Sequence, residues 1–333
     1  MNDFERRLQA RIDGKTKPLG ALGQVELLAA KVARLQGRLD PDMTRARLVI
    51  FAGDHGLAQE GVSAYPPDVT RQMVLNFAAG GAAANVFCRA NGLDLAVVNA
   101  GVKGGPFDLP QVIEAAMGEG TANSLHGPAM SAATCQAAVE TGYRLGAEGD
   151  WHAVAFGEMG IGNSSAAALV AHRLTDVPLQ LLVGRGTGLD DDGLIQKHNI
   201  LAQVSARVPG ALGPMGALAE FGGFEIAMMT GAMLGAAEAR KLVMVDGYIA
   251  TAAALAAVTI TPAARDAMVF CHVSGEPGHR VVLDTMGAKP LLQLGMRLGE
   301  GTGAALAWPL IRASVAMLNE MASFEEAGVS GAT

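Results

Sequence analysis

Six short apolar runs, each cut off by a glycine-containing loop, constrain the fold more than any other feature of these 333 residues. Residues 47–52 run into Gly53-Asp54-His55-Gly56, and residues 93–98 into Asn99-Ala100-Gly101. Residues 152–156 precede Gly157-Glu158-Met159-Gly160, and 179–183 precede Gly184-Arg185-Gly186-Thr187-Gly188. The last two are 242–245 before Asp246-Gly247 and 267–271 before His272-Val273-Ser274. Ala-rich stretches such as 165–174 and 225–240 lie between them. Continuously apolar strands alternating with helices predict a parallel sheet covered on both faces. The polar and glycine-rich residues then fall at the carboxyl ends of the strands, where open α/β sheets bind ligands.

Composition narrows the function. The chain is 50% hydrophobic but only 5% aromatic, with 43 glycines, which suits tightly packed helices and backbone-lined loops and excludes disorder. A net charge of −7 and the lack of a basic run exclude a nucleic-acid surface. Any phosphate must therefore be held by helix N-termini and a few placed cations. Cys88, Cys135 and Cys271 are isolated and odd in number, so they predict buried reduced thiols rather than a disulfide framework or a zinc site. Residues 1–17 are too polar for a signal peptide, and apolar windows such as 248–260 are too short or too interrupted to span a bilayer. A cytoplasmic enzyme without membrane attachment is the expectation. Residues 4–35 and 291–327 read as mostly helical. They predict a small helical domain built from both chain ends (1–35 plus 291–333) beside a large α/β nucleotide-binding domain (36–290).

Several constellations could carry chemistry. In the run from Gly157 to Ser165, Asn163 or Ser164 can cap a helix whose free N–H groups accept an anion, and Glu158 adds a carboxylate beside it. An ordinary capped turn is the plainer reading. Gly186-Thr187-Gly188 could cradle a phosphate with Lys197 supplying the cation, although a solvated lysine is the alternative. The order of a P-loop is absent. Asp190-Asp191-Asp192 could bind the Mg²⁺ of a pyrophosphorylated donor, or could simply favour a helix N-terminus. His55 and His279 have no partner at metal-ligand spacing, so hydrogen-bonded structural roles are favoured for both. Glu300 stands between two glycines at a helix start, where a capping acid would also be comfortable.

Taken together, the motifs resemble the nicotinate-nucleotide:dimethylbenzimidazole phosphoribosyltransferases. The resemblance includes Thr16-Lys17-Pro18-Leu19-Gly20, Phe51-Ala52-Gly53-Asp54-His55-Gly56, and Gly61-Val62-Ser63-Ala64-Tyr65-Pro66 with Val69-Thr70-Arg71-Gln72-Met73. It continues through 157–163, Gly186 to Asp191 with Lys197, Gly222-Gly223-Phe224-Glu225-Ile226, 294–303 and Glu320-Met321-Ala322-Ser323-Phe324. Ala21 and Gln24 depart from the usual Ser and Arg, Asn99 from a frequent Asp, and Ser164-Ser165 from a Thr pair. The resemblance implies a Rossmann-like three-layer α/β/α domain with a small helical domain and a homodimer, and the chemistry of a neutral leaving group with one carboxylate base demands no cofactor or metal. It implies transfer of phosphoribose from nicotinate mononucleotide to a benzimidazole in cobamide lower-ligand assembly. By that analogy Glu300 is the general base and Glu158 the second active-site carboxylate. Gly160, Asn163, Gly186, Lys197, Asp246 and Ser274 would contact the nucleotide, and Tyr65, Gln72 and Met73 the acceptor base. The rival readings are a Mg²⁺-dependent transferase using a pyrophosphorylated ribose and a non-catalytic nucleotide-binding protein.

Overall fold

A computed structural model describes residues 2–186 and 188–330. Its six strands are β1 (Ala46–Gly53), β2 (Asp94–Gly101), β3 (Val112–Glu114), β4 (Ala153–Met159), β5 (Leu242–Val245) and β6 (Met268–Phe270). They form one sheet in the order β3-β2-β1-β4-β5-β6, with every neighbouring pair parallel. Strand order reverses between β1 and β4, and the crevice there is where a doubly wound sheet binds ligands.

Successive residues of β1 point to opposite faces, and both faces are buried. Val49 and Phe51 enter one apolar core, while Leu48, Ile50 and Ala52 enter the other. Helices α1 (Asp3–Asp13), α2 (Gln24–Gln36), α3 (Val69–Ala79) and α4 (Ala83–Asn91) come early in the chain. Of these, α2, α3 and α4 supply Val32, Val74 and Ala84 to the second core. The first core is covered by helices from the middle of the chain. These are α5 (Ala132–Ala147), α6 (Asn163–Thr175), α7 (Leu179–Leu182), α8 (Asp191–Ala206), α9 (Pro214–Phe221), α10 (Phe224–Glu238) and α11 (Tyr248–Ile260). Next come α12 (Pro277–Thr285), α13 (Thr302–Glu320) and α14 (Phe324–Ala327). Helix α10 is buried on nearly all sides, as its unbroken Ala/Met/Gly composition requires.

Five of the six apolar runs form strands as expected. The run 179–183 does not: it is the one-turn helix α7. Leu179 and Leu182 share a buried face while Leu181 is exposed, a helical spacing that a short apolar run can hide. Tyr248 Oη donates to the Leu182 carbonyl at 2.8 Å and fixes that turn under α11. The remaining strand is β3, three residues at the sheet edge beside β2.

Both chain ends meet in a third, smaller cluster of Leu8, Ile12, Ala29, Ala30, Ala33 and Leu318. Helix α13 spans two environments: Ala304, Trp308 and Ile311 pack on the sheet, and Leu318 reaches the end cluster. Lys15 pairs with Ser323 across an isolated antiparallel bridge, fastening the first connection to the last helix. Among the described residues, no helix is long and apolar enough to cross a membrane.

Candidate active site

A cleft opens at the carboxyl ends of β4, β5 and β6. Its walls include Glu158, Gly160 and Asn163 from the β4–α6 connection, Gly186 from the α7–α8 loop, and Gly247 after β5. Beyond β6 it is lined by His272, Ser274 and Glu276, and by residues 297–299 before α13. Strand alternation sends Glu158 towards α6, where its Oε2 accepts a hydrogen bond from Asn163 Nδ2. The carboxylate is 7% exposed. Burial, reinforced by the charge of Asp246, pushes its pKa up to about 8, against the Asn163 hydrogen bond.

Gly157 lies on the opposite face of β4, and there the backbone of another segment comes close. A Cβ at Gly157 would sit 2.6 Å from Gly301 N and 2.7 Å from Glu300 O, so only glycine lets that peptide rest on the strand. Glu300 itself has φ +62°, a left-handed conformation uncommon for a side-chain-bearing residue. It is 5% exposed, and its Oε2 has no hydrogen-bond partner among the described residues. Burial raises its pKa to about 7, although a hydrogen bond from the Ala84 backbone at the start of α4 opposes the shift. Glu300 therefore sits one residue behind the cleft wall, on the side of α3 and α4.

At one end of the cleft, Ser164 of α6 meets Lys197 of α8. Lys197 is 1% exposed, and its Nζ donates to Ser164 Oγ at 3.0 Å. Gly186 is close enough that a Cβ there would lie 3.4 Å from that ammonium. Burial lowers the Lys197 pKa to about 8, so an anion in the cleft would supply the charge partner that this site otherwise provides weakly. Arg297 adds an exposed guanidinium whose Nη1 donates to the Gly186 carbonyl at 3.0 Å. Ser274 is held from below: its N–H donates to His279 Nδ1 at 2.9 Å, and its Oγ accepts from Glu276 N at 3.0 Å. Burial pushes His279 down to about 3, so it is the neutral acceptor this geometry needs, with Nε2–H towards Thr251 Oγ1 at 2.9 Å.

The chain is similar over nearly its whole length to known proteins. The family model described as phosphoribosyltransferase matches residues 1–329. A nicotinate-nucleotide–dimethylbenzimidazole phosphoribosyltransferase of Dechloromonas aromatica (strain RCB) is 54% identical over 98% of this chain and 96% of its own length. One from Ralstonia nicotianae (strain ATCC BAA-1114 / GMI1000) is 53% identical over 97% of this chain and 93% of its own. The crystal structure of CobT from Thermus thermophilus superposes with a TM-score of 0.95 at 43% identity, covering 99% of this chain and 100% of that one.

The chain belongs to this phosphoribosyltransferase family.

Within this family member, the residues singled out from sequence fall into two groups, with one exception. Glu158, Gly160, Asn163, Gly186 and Ser274 line one cleft, with Lys197 directly behind it. Met73 and Met159 pack against the α3/α4 side of the sheet, the side that also holds Glu300, while Tyr65 and Gln72 are exposed nearby on the chain. Thr70 Oγ1 accepts from Ile161 N at 3.1 Å and ties α3 to the β4–α6 loop.

Asp246 belongs to neither group. Named from sequence as a nucleotide contact, it is buried, and its Oδ2 accepts from Gly301 N at 3.2 Å and its Oδ1 from Ala304 N at 2.9 Å. Gly301, the residue at the cap of α13, has no side chain to satisfy those donors, so Asp246 caps the helix from the loop after β5.

Asp190 likewise acts as a helix cap, accepting from Gly193 N at 2.8 Å, and Asp191 pairs with Arg185. Among the described residues no group of three metal-ligating side chains converges. Thr187, part of the expected phosphate loop, lies outside the described residues. His55 is structural as expected, bound to Glu225 at 2.6 Å in the interior. Glu276, His272 and Arg297 were not singled out, because single polar residues in a loop carry no signal until the fold aligns them.

Proposed function

We propose that this protein transfers the 5-phosphoribosyl group of nicotinate mononucleotide to 5,6-dimethylbenzimidazole or a related base, giving an α-riboside phosphate and nicotinate. The observation that carries the reading is Glu300: a buried carboxylate with one partnerless oxygen, held between glycines beside a cleft that has its cations at the far end. A pure nucleotide binder has no use for such a group.

Nicotinate leaves from a pyridinium. When the C1′–N bond breaks, its electron pair neutralises the ring, so no acid is needed. The acceptor attacks C1′ through its lone-pair nitrogen, and its other nitrogen passes a proton to Glu300. Displacement from the opposite side inverts C1′. Both carboxylates titrate near neutrality, and geometry assigns their roles. Glu158 has an oxygen occupied by Asn163, which suits a group that hydrogen-bonds the ribose or the acceptor, whereas Glu300 has an oxygen free to take the proton. Lys197, Ser164, Gly186 and Ser274 would hold the phosphate, with Arg297 at the rim. The acceptor would lie among Met73, Met159, Tyr65 and Gln72, and the soft methionines suit a pocket for flat aromatic rings. A homodimer belongs to the same reading and rests on the family resemblance, and a cytoplasmic setting rests on the polar N-terminal segment and the short apolar windows.

The test is incubation with nicotinate mononucleotide and 5,6-dimethylbenzimidazole, followed by mass detection. One riboside phosphate per nicotinate released is expected, unaffected by EDTA. Nicotinate without riboside phosphate, or no release at all, would reject the assignment, and loss of activity in EDTA would favour a metal-dependent donor. Lys197→Met is expected to raise KM for nicotinate mononucleotide about 10- to 100-fold, as expected for a lost charge-assisted hydrogen bond worth about 1.5–3 kcal/mol. Steady-state kinetics at varied nucleotide concentration measure it.

A further inference from the structure

Three histidines are fully buried, and two have evident work. His55 bonds Glu225, and His279 engages both Ser274 and Thr251. His272 differs. It is 2% exposed, it forms part of the cleft wall, and neither ring nitrogen has a hydrogen-bond partner among the described residues. A polar group buried without partners costs about 1–3 kcal/mol and calls for a reason. The fold also makes room for the ring: a Cβ at Gly303 would overlap the imidazole, and one at Gly247 would lie 3.2 Å from its Nε2.

Its charged neighbour is Asp246, whose Oδ1 lies 3.6 Å from His272 Nε2. That same oxygen accepts from Ala304 N, and the other oxygen from Gly301 N, the residue next to Glu300. A continuous path thus leads from the imidazole through one carboxylate to the left-handed turn that aims the base.

We propose that His272 is a positioning residue for Glu300, acting through Asp246 and the first turn of α13. A ring N–H facing Asp246 at 3.6 Å favours the charged form of that carboxylate, and a charged carboxylate holds helix N–H groups more strongly than a protonated one. Burial raises the pKa of Asp246, and His272 opposes the rise. The groups facing this pair are Asp246 itself from the end of β5, His279 from α12 with its ring edge-on at 6.1 Å, and the N-terminus of α13. Cys271 neighbours it in sequence, and Glu158 and Glu300 feel the charge of Asp246.

The inference rests on the transferase reading, and its test separates the two. Wild-type protein is assayed first. No riboside phosphate there overturns the transferase reading, and this one with it, since there is then no base to position. With turnover established, His272→Phe is expected to lower kcat about 10²-fold, the scale of a small misplacement at the reacting centre, with KM for nicotinate mononucleotide little changed. The acid limb of its kcat profile is expected to move to higher pH and steepen, because Asp246 and Glu300 must then both be ionised. His272→Gln, which keeps a donor towards Asp246, is expected to retain most of the activity. If the Phe variant fails to fold, His272→Asn carries the same expectation, since its amide is too short to reach Asp246. Parental kcat, or a loss shared by kcat and KM with an unmoved acid limb, would show that His272 only fills space.

Discussion

Replacing Glu300 with glutamine lowers kcat about 10²- to 10⁴-fold, the range a positioned general base contributes, while binding of nicotinate mononucleotide survives. That is about 3–5 kcal/mol of transition-state stabilisation. The amide is nearly isosteric and can still accept the Ala84 N–H, so the strained turn at Glu300 stays in place and only the proton acceptor is lost. Wild-type kcat is also expected to rise with pH through the ionisation of Glu300, because burial has moved that group to about 7 and the proposed base receives the acceptor's proton only when unprotonated. The variant has no such limb. Glu158→Gln is a milder change, since an amide at that place can still hydrogen-bond both Asn163 and a ligand. Single-turnover release of nicotinate, measured from pH 5 to 9 in the three proteins, decides the matter. A Glu300→Gln enzyme with full activity would place the base elsewhere.

The parallel sheet was legible because its longer strands are continuously apolar and run into glycine-containing loops, whereas the strand order was not. What misled was length. Residues 112–114 are too few to stand out, and 179–183 is apolar enough for a strand yet buries Leu179 and Leu182 on one side as a helical turn. The site was legible where its residues adjoin in sequence. Glu158 and Asn163 are five positions apart and meet. Caps within one segment were equally readable, as with Asp190. Pairings across the chain were not: Asp246 reaches Gly301 and Ala304 over 55 and 58 positions, and no local pattern announces that a carboxylate after β5 will cap α13. The partnerless His272 was hidden for the same reason, since its isolation becomes visible only when its neighbours are in place.

Glu225→Ala destabilises the protein by about 3–5 kcal/mol, the cost of leaving one partner of a buried pair without the other. Glu225 is the second residue of α10, is wholly buried, and accepts from His55 Nε2 at 2.6 Å. Burial opposes charge on His55, but the carboxylate outweighs it and raises the imidazole pKa. The sign of the pH dependence follows. A folded-state pKa above the unfolded value of about 6.5 stabilises fully below that value, and the contribution fades as pH rises through the folded pKa. The difference in urea-unfolding free energy between wild type and Glu225→Gln is therefore larger at pH 6 than at pH 9. Equal differences would mean the pair is held as a neutral hydrogen bond. The double variant His55→Phe/Glu225→Leu recovers part of the loss, because well-packed apolar groups remove the uncompensated charge rather than strand it. Its activity need not return. His55 lies against the β4–α6 loop, with a Cβ at Gly160 only 3.4 Å from its ring, so this buried pair supports the turn that presents Glu158 and Asn163 to the cleft. Recovered stability with depressed kcat would separate the two duties of the pair, holding the interior together and setting the floor of the site.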